Sequence, residues 1–243
     1  METVLILGAT ADIGEAIAYL FAEKGYPVYL AARNQQALEP LKSDLNIRFN
    51  VPVTTFQFDA NDFATNDQFW KQLPEKPLIT ICVFGYLGDQ QIAQQEWAES
   101  ERIINANYKG AIALLNPIAN EYEALKKGTI IGISSVAGDR GRQSNYIYGS
   151  AKAGFTAYLS GMRNRLSKSG VHVATINPGF VDTKMTEGLP LPKPLTAQPK
   201  QVAQAVYQAY RKQKNVVYTL WMWRWIMLII KNIPERIFKK LNL

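Results

Sequence analysis

Short apolar runs alternate along the chain with longer segments in which apolar residues recur every three or four positions. The runs predict strands at residues 3–7, 28–31, 54–58, 79–84, 129–133 and 171–176. The longer segments predict helices at residues 13–23, 35–45, 62–72, 100–123, 148–167 and 200–211. Strands that are apolar throughout need cover on both faces, so the alternation indicates a parallel sheet between two helical layers. We therefore predict an α/β fold with a doubly wound parallel sheet.

The length of 243 residues suits a single domain of this kind, which we place at residues 1–214. Prolines crowd residues 189–199 and disfavour both helix and sheet pairing there. We expect a surface loop over about residues 184–200 that acts as a lid on a substrate. One histidine, His172, and one cysteine, Cys82, are too few for a structural zinc site, and we expect no metal.

The first predicted strand runs into the turn Leu7-Gly8-Ala9-Thr10-Ala11-Asp12-Ile13-Gly14 and then directly into a helix. Gly8 permits the tight turn, and Gly14 lets the helix approach the strand. Free amides at the helix N-terminus suit a pyrophosphate, which indicates a dinucleotide-binding, Rossmann-type domain; a plain glycine turn is the alternative. Because Asp12 would repel phosphate, we expect its carboxylate to turn away and cap the helix.

The end of the second predicted strand, Ala31-Ala32-Arg33-Asn34, indicates which dinucleotide is bound. NAD-binding folds carry Asp or Glu here for the ribose hydroxyls, whereas this chain has Ala32. A small neutral residue avoids repelling a 2′-phosphate, and the guanidinium of Arg33 can bind that group through paired hydrogen bonds. The expected cofactor is NADP(H).

Tyr148 and Lys152 are four residues apart and therefore share one face of a predicted helix. The pair alone is a weak signal, but Ser135 follows a predicted strand thirteen residues before Tyr148, and Asn107 lies on the preceding long helix. A nearby lysine cation and the oxidised nicotinamide of a bound cofactor favour the phenolate of a tyrosine. We therefore expect the pKa of Tyr148 to fall from about 10 toward the neutral range.

With these motifs in this order, the chain resembles the short-chain dehydrogenase/reductase family, whose first turn reads TGxxxGxG; Leu7 and Asp12 depart from that pattern. The family's NNAG sequence after the fourth strand is also absent, although Gly85 is retained. The resemblance implies that the chain reduces a ketone to an alcohol by hydride transfer, with a tyrosine as proton donor.

The same resemblance implies a role for each matching residue. The expected catalytic residues are Asn107, Ser135, Tyr148 and Lys152. The expected cofactor contacts are Gly8, Thr10, Asp12, Ile13, Gly14, Arg33, Asn34, Asp59, Ala60, Gly85, Tyr148, Lys152, Pro178, Gly179, Val181 and Thr183. In the family pattern the serine hydrogen-bonds the substrate oxygen, the lysine also binds the nicotinamide ribose, and the asparagine holds a water that links the lysine to solvent.

The C-terminal segment, residues 215–243, differs in character from the rest. Residues 211–243 hold eight basic side chains and one acidic side chain, so the net charge of +7 resides there. Three tryptophans lie in the apolar run 216–230, which is shorter than the ~20 residues that span a bilayer. We expect an amphipathic tail on a membrane surface; packing on the core or in a subunit interface is the alternative. The aromatic residues cluster with aliphatic ones, so we expect no nucleic acid partner.

Three segments, 84–90, 134–154 and 224–241, resemble the family subgroup that reduces decaprenylphosphoryl-2-keto-erythro-pentose. The resemblance implies a polyprenylphosphate-linked 2-keto-pentose as substrate and a homo-oligomer, a dimer or a tetramer. Arg140 and Arg142 could then meet the substrate phosphate or be ordinary loop charges. The alternatives are a reductase of another apolar ketone (3-ketoacyl, steroid-like or retinoid-like) and a non-catalytic NADP-binding regulatory or scaffold protein.

The N-terminus carries no basic signal region, so we expect a cytoplasmic protein, peripheral on the cytoplasmic face of the membrane.

Overall fold

A seven-stranded sheet lies at the centre of the computed structural model, which describes residues 2–241 apart from the side chain of Asp67. All neighbouring strands in this sheet are parallel. Its strands are β1 (Val4–Leu7), β2 (Val28–Ala32), β3 (Val53–Gln57), β4 (Ile79–Cys82), β5 (Thr129–Ile133), β6 (His172–Pro178) and β9 (Val216–Thr219). Two short strands, β7 (Phe180–Val181) and β8 (Thr196–Ala197), pair with each other outside this sheet.

The helices before residue 105 are α1 (Asp12–Glu23), α2 (Glu39–Phe49), α3 (Asn66–Gln72), α4 (Gln90–Ala93) and α5 (Trp97–Ile104). Those that follow are α6 (Gly110–Leu125), α7 (Tyr146–Leu166), α8 (Pro199–Arg211), α9 (Met222–Asn232) and α10 (Glu235–Phe238). The helix predicted over residues 100–123 is longer than expected, and it contains a π-helical turn at Asn105–Lys109 that joins α5 to α6.

The strand order β3-β2-β1-β4-β5-β6-β9 reverses direction between β1 and β4. This order confirms the doubly wound parallel sheet predicted from the sequence. In such sheets the crevice outside the carboxyl ends of the strands at the reversal is the usual ligand site. The carboxyl end of β1 leads into Gly8 and that of β4 leads toward Gly85, so both predicted glycine positions lie at this crevice.

Two apolar cores cover the two faces of the sheet, as strands that are buried throughout require. On one face α1 and α8 pack against the sheet through side chains such as Ile17, Phe21 and Val206. On the other face α6 and α7 pack against it through side chains such as Leu115 and Leu159. The two layers hold the carboxyl ends of β1, β4 and β5 in fixed positions, and the candidate site is built on those ends.

The C-terminal segment contributes to the sheet, which the sequence pattern did not predict. Residues 216–219, which we assigned to the tail, form β9 and pair in parallel with β6. The boundary predicted at residue 214 is therefore wrong, because the sheet continues to Thr219. After it, α9 packs on the domain through the buried side chains of Trp223 and Met227, which contact Val136. Among the described helices, none is long and apolar enough to cross a membrane.

Candidate active site

A cleft with a volume of about 220 Å³ opens at the reversal of strand order. Of the predicted cofactor contacts, the cleft is lined by Gly8, Thr10, Arg33, Asp59, Ala60 and Gly85. These residues follow the carboxyl ends of β1, β2, β3 and β4, so the fold brings together positions that are up to 77 residues apart in the chain. The cleft runs from the end of β2 toward the glycine after β4, a shape that suits an extended dinucleotide.

Backbone geometry explains both glycines of the first turn. Gly8 has φ of +91°, and a Cβ added to it would lie 2.7 Å from the amide nitrogen of Phe84. A Cβ on Gly14 would lie 2.4 Å from the carbonyl oxygen of Gly8, so α1 can approach the turn only without a side chain there. The residue that caps α1 is Ala11, which has no side-chain acceptor for the first amides. The N-terminus of α1 therefore keeps the unpaired donors that a pyrophosphate accepts.

Asp12 behaves differently from our prediction. Its carboxylate accepts a hydrogen bond from the backbone amide of Lys184 at 2.8 Å and lies 3.9 Å from the Lys184 ammonium. The carboxylate therefore anchors the loop after β7 and does not cap α1, so the predicted capping role is wrong. The charge is directed away from the first turn, as electrostatic repulsion of a phosphate requires. Asp12 and Thr183 line a shallow depression separate from the main cleft.

The end of β2 carries the residues expected to select the cofactor. Ala32 is buried at the cleft wall, whereas Arg33 is exposed at its edge. Asn34 accepts hydrogen bonds from the amides of Gln36 and Ala37 at 3.1 and 3.4 Å, so its side chain organises the following turn. Arg33 supplies a cation at this edge of the cleft. Ala32 stands where NAD-binding folds carry a carboxylate.

The four expected catalytic residues come from three elements. Ser135 follows β5, and its hydroxyl accepts a hydrogen bond from the amide of Ala137 at 3.1 Å. Tyr148 lies in the first turn of α7, close enough to Ser135 for the serine hydroxyl to lower the pKa of the tyrosine. One turn later the ammonium of Lys152 lies 5.8 Å from the centre of the Tyr148 ring and donates to the carbonyl of Ile133 at 3.1 Å.

Asn107 sits in the π-helical turn between α5 and α6, a local widening that is frequent at functional sites. Its side-chain nitrogen donates to the carbonyls of Tyr86 and Ile103 at 2.6 and 2.8 Å, and its oxygen accepts from the amide of Tyr86 at 3.2 Å. A Cβ on Gly85 would lie 2.7 Å from this oxygen and 3.3 Å from the ammonium of Lys152. Gly85 thus allows Asn107 and Lys152 to meet the strand end.

Burial changes the proton affinities of this group. It raises the pKa of Tyr148 to about 12, although the hydrogen bond with Ser135 lowers it in part. The lowered pKa that we predicted depends on the lysine cation and an oxidised nicotinamide, whereas burial, which the sequence does not show, acts in the opposite direction. Burial also lowers the pKa of Lys152 to about 8. Near neutral pH the tyrosine is therefore fully protonated, which is the form that an acid requires.

The end of β6 and the segment through β7 to residue 183 carry Pro178, Gly179, Val181 and Thr183, which we expected to bind the nicotinamide end of the cofactor. Gly179 packs closely against the C-terminal segment, since a Cβ there would lie 1.9 Å from the indole nitrogen of Trp223. Thr183 begins a single turn of 3-10 helix at Lys184–Thr186. The loop predicted over residues 184–200 contains this turn, a second one at Lys193–Leu195 and β8.

Arg140 does not face the cleft, contrary to one of the two roles we considered for it. Its guanidinium donates to the carbonyls of Ile230 and Ile233 and pairs with Glu235 at 2.9 Å. The side chain thus holds the C-terminal end of α9 and the start of α10 against the loop between Ser135 and Tyr148. Arg142 lies beside Met227 of α9, with 3.2 Å between its nitrogen and the sulfur.

The sequence analysis did not predict several residues that line the cleft, among them Tyr86, Arg102, Ala106 and Met185. The guanidinium of Arg102 lies 4.1 Å from the centre of the Tyr86 ring, so the two side chains stack at the rim. The sequence did carry a signal for Arg102 and Ala106. These two residues are four positions apart and precede Asn107 on one helix. Met185 had no such signal, since its approach depends on the loop anchored by Asp12.

Residues 2–193 match the protein family described as short chain dehydrogenase. An uncharacterized oxidoreductase of Mycobacterium tuberculosis is 34% identical over 241 residues, which are 98% of this chain and 96% of the relative. A second uncharacterized oxidoreductase, from Streptomyces coelicolor, is 31% identical over 244 residues, 99% of this chain and 96% of that protein.

Solved structures show the same fold. A short-chain dehydrogenase from Sphingobium yanoikuyae in complex with NADPH has a TM-score of 0.83 at 24% identity, with 97% of each chain covered. The bulky-bulky ketone specific alcohol dehydrogenase from Comamonas testosteroni has a TM-score of 0.82 at 23% identity, covering 97% of this chain and 96% of the other. By its sequence match and its full-length relatives, the chain belongs to the short-chain dehydrogenase/reductase family and is an oxidoreductase.

Proposed function

We propose that this oxidoreductase uses NADPH to reduce a ketone to a secondary alcohol, with Tyr148 as the proton donor. The observation that carries the proposal is the placement of Tyr148 close enough to Ser135 for the serine hydroxyl to lower its pKa, with the ammonium of Lys152 5.8 Å from the centre of the phenol ring. Two hydroxyl groups so arranged can both hydrogen-bond one carbonyl oxygen, and that oxygen is the atom that gains negative charge during reduction.

The cleft fits the proposed cofactor. The left-handed turn at Gly8 and the uncapped N-terminus of α1 suit the pyrophosphate, and Arg33 beside Ala32 suits a 2′-phosphate. NADPH bound in this cleft supplies the hydride. The structural neighbour from Sphingobium yanoikuyae, described in complex with NADPH, has the same fold and is consistent with this choice.

The chain's own groups would handle the proton. Tyr148 donates its phenolic proton to the substrate oxygen, and Ser135 donates a hydrogen bond to the same atom. Lys152 remains mostly charged at neutral pH, because its lowered pKa of about 8 is still above 7. Its cation stabilises the phenolate that forms when the proton leaves. Asn107 orients the turn that faces Lys152 through its three hydrogen bonds to Tyr86 and Ile103.

Two partly buried apolar side chains near Ser135, Phe180 and Leu195, favour a substrate with an apolar portion. Val136, which follows Ser135, packs with Trp223 and Met227, and Phe180 and Leu195 pack against the same cluster. We therefore propose an apolar or lipid-linked ketone. Within this class, the resemblance of segments 84–90, 134–154 and 224–241 supports a polyprenylphosphate-linked 2-keto-pentose, the cytoplasmic face of a membrane as its location, and a homo-oligomeric state.

The proposal is tested by following NADPH oxidation with a panel of ketones. The panel contains a polyprenylphosphate-linked 2-keto-pentose, the same keto-sugar without lipid, a 3-ketoacyl thioester, a steroid ketone and a retinoid carbonyl. We expect the highest kcat/KM with the lipid-linked sugar. A preference for the 3-ketoacyl, steroid or retinoid compound would contradict the proposed substrate but not the proposed ketone reduction. Tight NADPH binding without turnover of any ketone would favour a regulatory or scaffold role.

A further inference from the structure

The helix α9 is apolar on two sides. Trp223 and Met227 face the domain and are 3% and 0% exposed. On the other side Trp221, just before the helix, forms a second apolar stripe with Trp225, Leu228 and Ile229 at the spacing of one helix face. We call it the outer stripe. These four side chains are 72%, 56%, 52% and 67% exposed. A contiguous exposed patch of this kind marks a surface that another molecule covers.

We propose that the outer stripe is a docking surface for a bilayer with anionic lipids, on which α9 lies parallel to the membrane plane. Tryptophan suits this position because its ring is apolar and its N–H can reach the hydrated headgroups. A helix with one face on the protein and one in the interface does not need the length of a spanning segment. This agrees with the described helices, none of which could cross a bilayer.

The charges around the outer stripe identify the occupant as anionic. Arg224 and Lys231 lie on α9 beside the stripe, and further basic residues follow it at Arg236, Lys239 and Lys240. The only acidic residue after position 210 is Glu235, and it is already paired with Arg140 at 2.9 Å. The segment therefore presents uncompensated positive charge next to its apolar stripe. Each such cation is attracted to an anionic lipid surface.

The same charges disfavour a second copy of this chain as the occupant. In a symmetric dimer the same patch on both subunits would meet. Arg224 and Lys231 would then approach their own counterparts, and like charges that are brought together across an interface cost binding free energy. An anionic lipid surface covers the apolar stripe and attracts these cations.

The position of α9 links this surface to the site. Its inner face packs on Val136, which follows Ser135, and on Gly179. Arg140, in the loop before Tyr148, holds its C-terminal end. A bilayer that covers the outer stripe would therefore lie one helix diameter from Val136, the residue that follows Ser135. That this shortens the path of a lipid-linked ketone rests on the proposed function, whereas the docking itself does not.

Vesicle sedimentation of the full chain tests the docking without any substrate. Vesicles of phosphatidylcholine alone are compared with vesicles that also contain phosphatidylglycerol. We expect binding to the anionic vesicles that weakens as salt is added, and much weaker binding to phosphatidylcholine alone. The triple variant W221S/W225S/I229S should bind about tenfold more weakly or worse.

A matched control removes similar apolar side chains elsewhere on the surface. Ile47, Ile92 and Trp97 are 85%, 47% and 69% exposed, and I47S/I92S/W97S should sediment with vesicles like the unmodified chain. For the charges, R224Q/K231Q should weaken binding to anionic vesicles by about tenfold. R48Q/K168Q makes the same charge change away from α9 and should not. Circular dichroism and NADPH binding verify that each variant is folded.

Three results would overturn the proposal. The first is an unmodified chain that does not sediment with anionic vesicles, and the second is equal binding by the stripe variant and the surface control. The third is a stripe variant that keeps vesicle binding but dissociates into smaller species in analytical ultracentrifugation, which would show that a second copy covers the outer stripe. None of these results depends on ketone reduction, so a failure of the docking and a failure of the proposed reaction are distinguishable.

Discussion

The indole ring of Trp223 occupies the space that a side chain on residue 179 would need. A Cβ added to Gly179 would lie 1.9 Å from both Cε2 and Nε1 of the ring, and Nε1 donates to the carbonyl of Leu195 at 3.1 Å. The C-terminal helix is therefore seated on the loop that follows β6. This contact joins the segment after β9 to the candidate site, and it depends on a glycine.

Replacing Gly179 with alanine should displace α9. The added methyl overlaps the indole and the chain must shift, so we expect a loss of about 1–3 kcal/mol in the free energy of unfolding. Urea unfolding and the fluorescence of the tryptophans would measure it. Gly161 is the matched control, because it lies within α7 and, beyond its neighbours and its own helix backbone, no heavy atom of the described residues lies within 4 Å of an added Cβ. Gly161→Ala should stabilise by roughly 0.5–1 kcal/mol; equal effects at the two positions would contradict the packing account.

Tyr148→Phe should abolish ketone reduction and leave cofactor binding nearly unchanged. The variant keeps the ring but lacks the proton, so we expect kcat to fall by about 100-fold or more. Steady-state kinetics and a fluorescence titration with NADPH would separate the two effects. Tyr146→Phe is the control, since that tyrosine is 44% exposed two residues away on the same helix. Full activity of Tyr148→Phe would remove Tyr148 from the mechanism.

Lys152→Met should stabilise the folded chain near neutral pH. Burial lowers the pKa of Lys152 from 10.5 to about 8, so between these pH values the unfolded chain binds more protons than the folded chain. The free energy of unfolding then rises with pH across this window, because the buried lysine of the folded chain loses its proton and its charge. Methionine carries no such charge but loses the hydrogen bond to Ile133. We expect a gain of roughly 1–3 kcal/mol at pH 7 that shrinks toward pH 10.5.

Urea unfolding at pH 7 and pH 10.5 would measure this difference. Lys168→Met, at an exposed position, should change the free energy by less than about 0.5 kcal/mol at either pH. A gain from Lys152→Met that does not shrink with pH would show that the buried charge is not its source.

Arg33→Ala should weaken NADPH binding selectively. A hydrogen bond to a charged group contributes about 1.5–3 kcal/mol, so the Kd for NADPH should rise by about 10- to 100-fold. The Kd for NADH should change little, because that cofactor lacks the 2′-phosphate. Isothermal titration calorimetry with both cofactors would measure the ratio, with Arg48→Ala as an exposed arginine outside the cleft. Unchanged NADPH affinity in Arg33→Ala would contradict the proposed cofactor specificity.

Arg140→Gln should loosen the C-terminal end of the chain. Glutamine cannot replace the hydrogen bonds to the carbonyls of Ile230 and Ile233 or the pairing with Glu235. We expect the amides of Ile237 and Phe238, which bond to the carbonyl of Pro234, to exchange hydrogen faster by about tenfold or more. Hydrogen–deuterium exchange followed by mass spectrometry would detect this. Arg224→Gln, an exposed change on α9, should leave their exchange as it is.

Much of the fold and site was predictable because it depends on local pattern. Continuous apolar runs and helical spacing specify a parallel sheet covered on both faces. Gly8, Gly14 and the Tyr148–Lys152 pair were identifiable because turn geometry and helix periodicity act over a few residues. The sequence determined these features by itself.

Other features depended on contacts between distant residues, and only the tertiary structure decided them. Asp12 bonds to Lys184 instead of capping its own helix, and Arg140 bonds to carbonyls 90 or more residues away. Burial, which raises the pKa of Tyr148, is a property of the packed molecule. Residues 216–219 joined the sheet because β6 offered an open edge, which local hydropathy does not record. The apolar character of α9 was visible in the sequence, but packing decided which face is buried and which remains exposed.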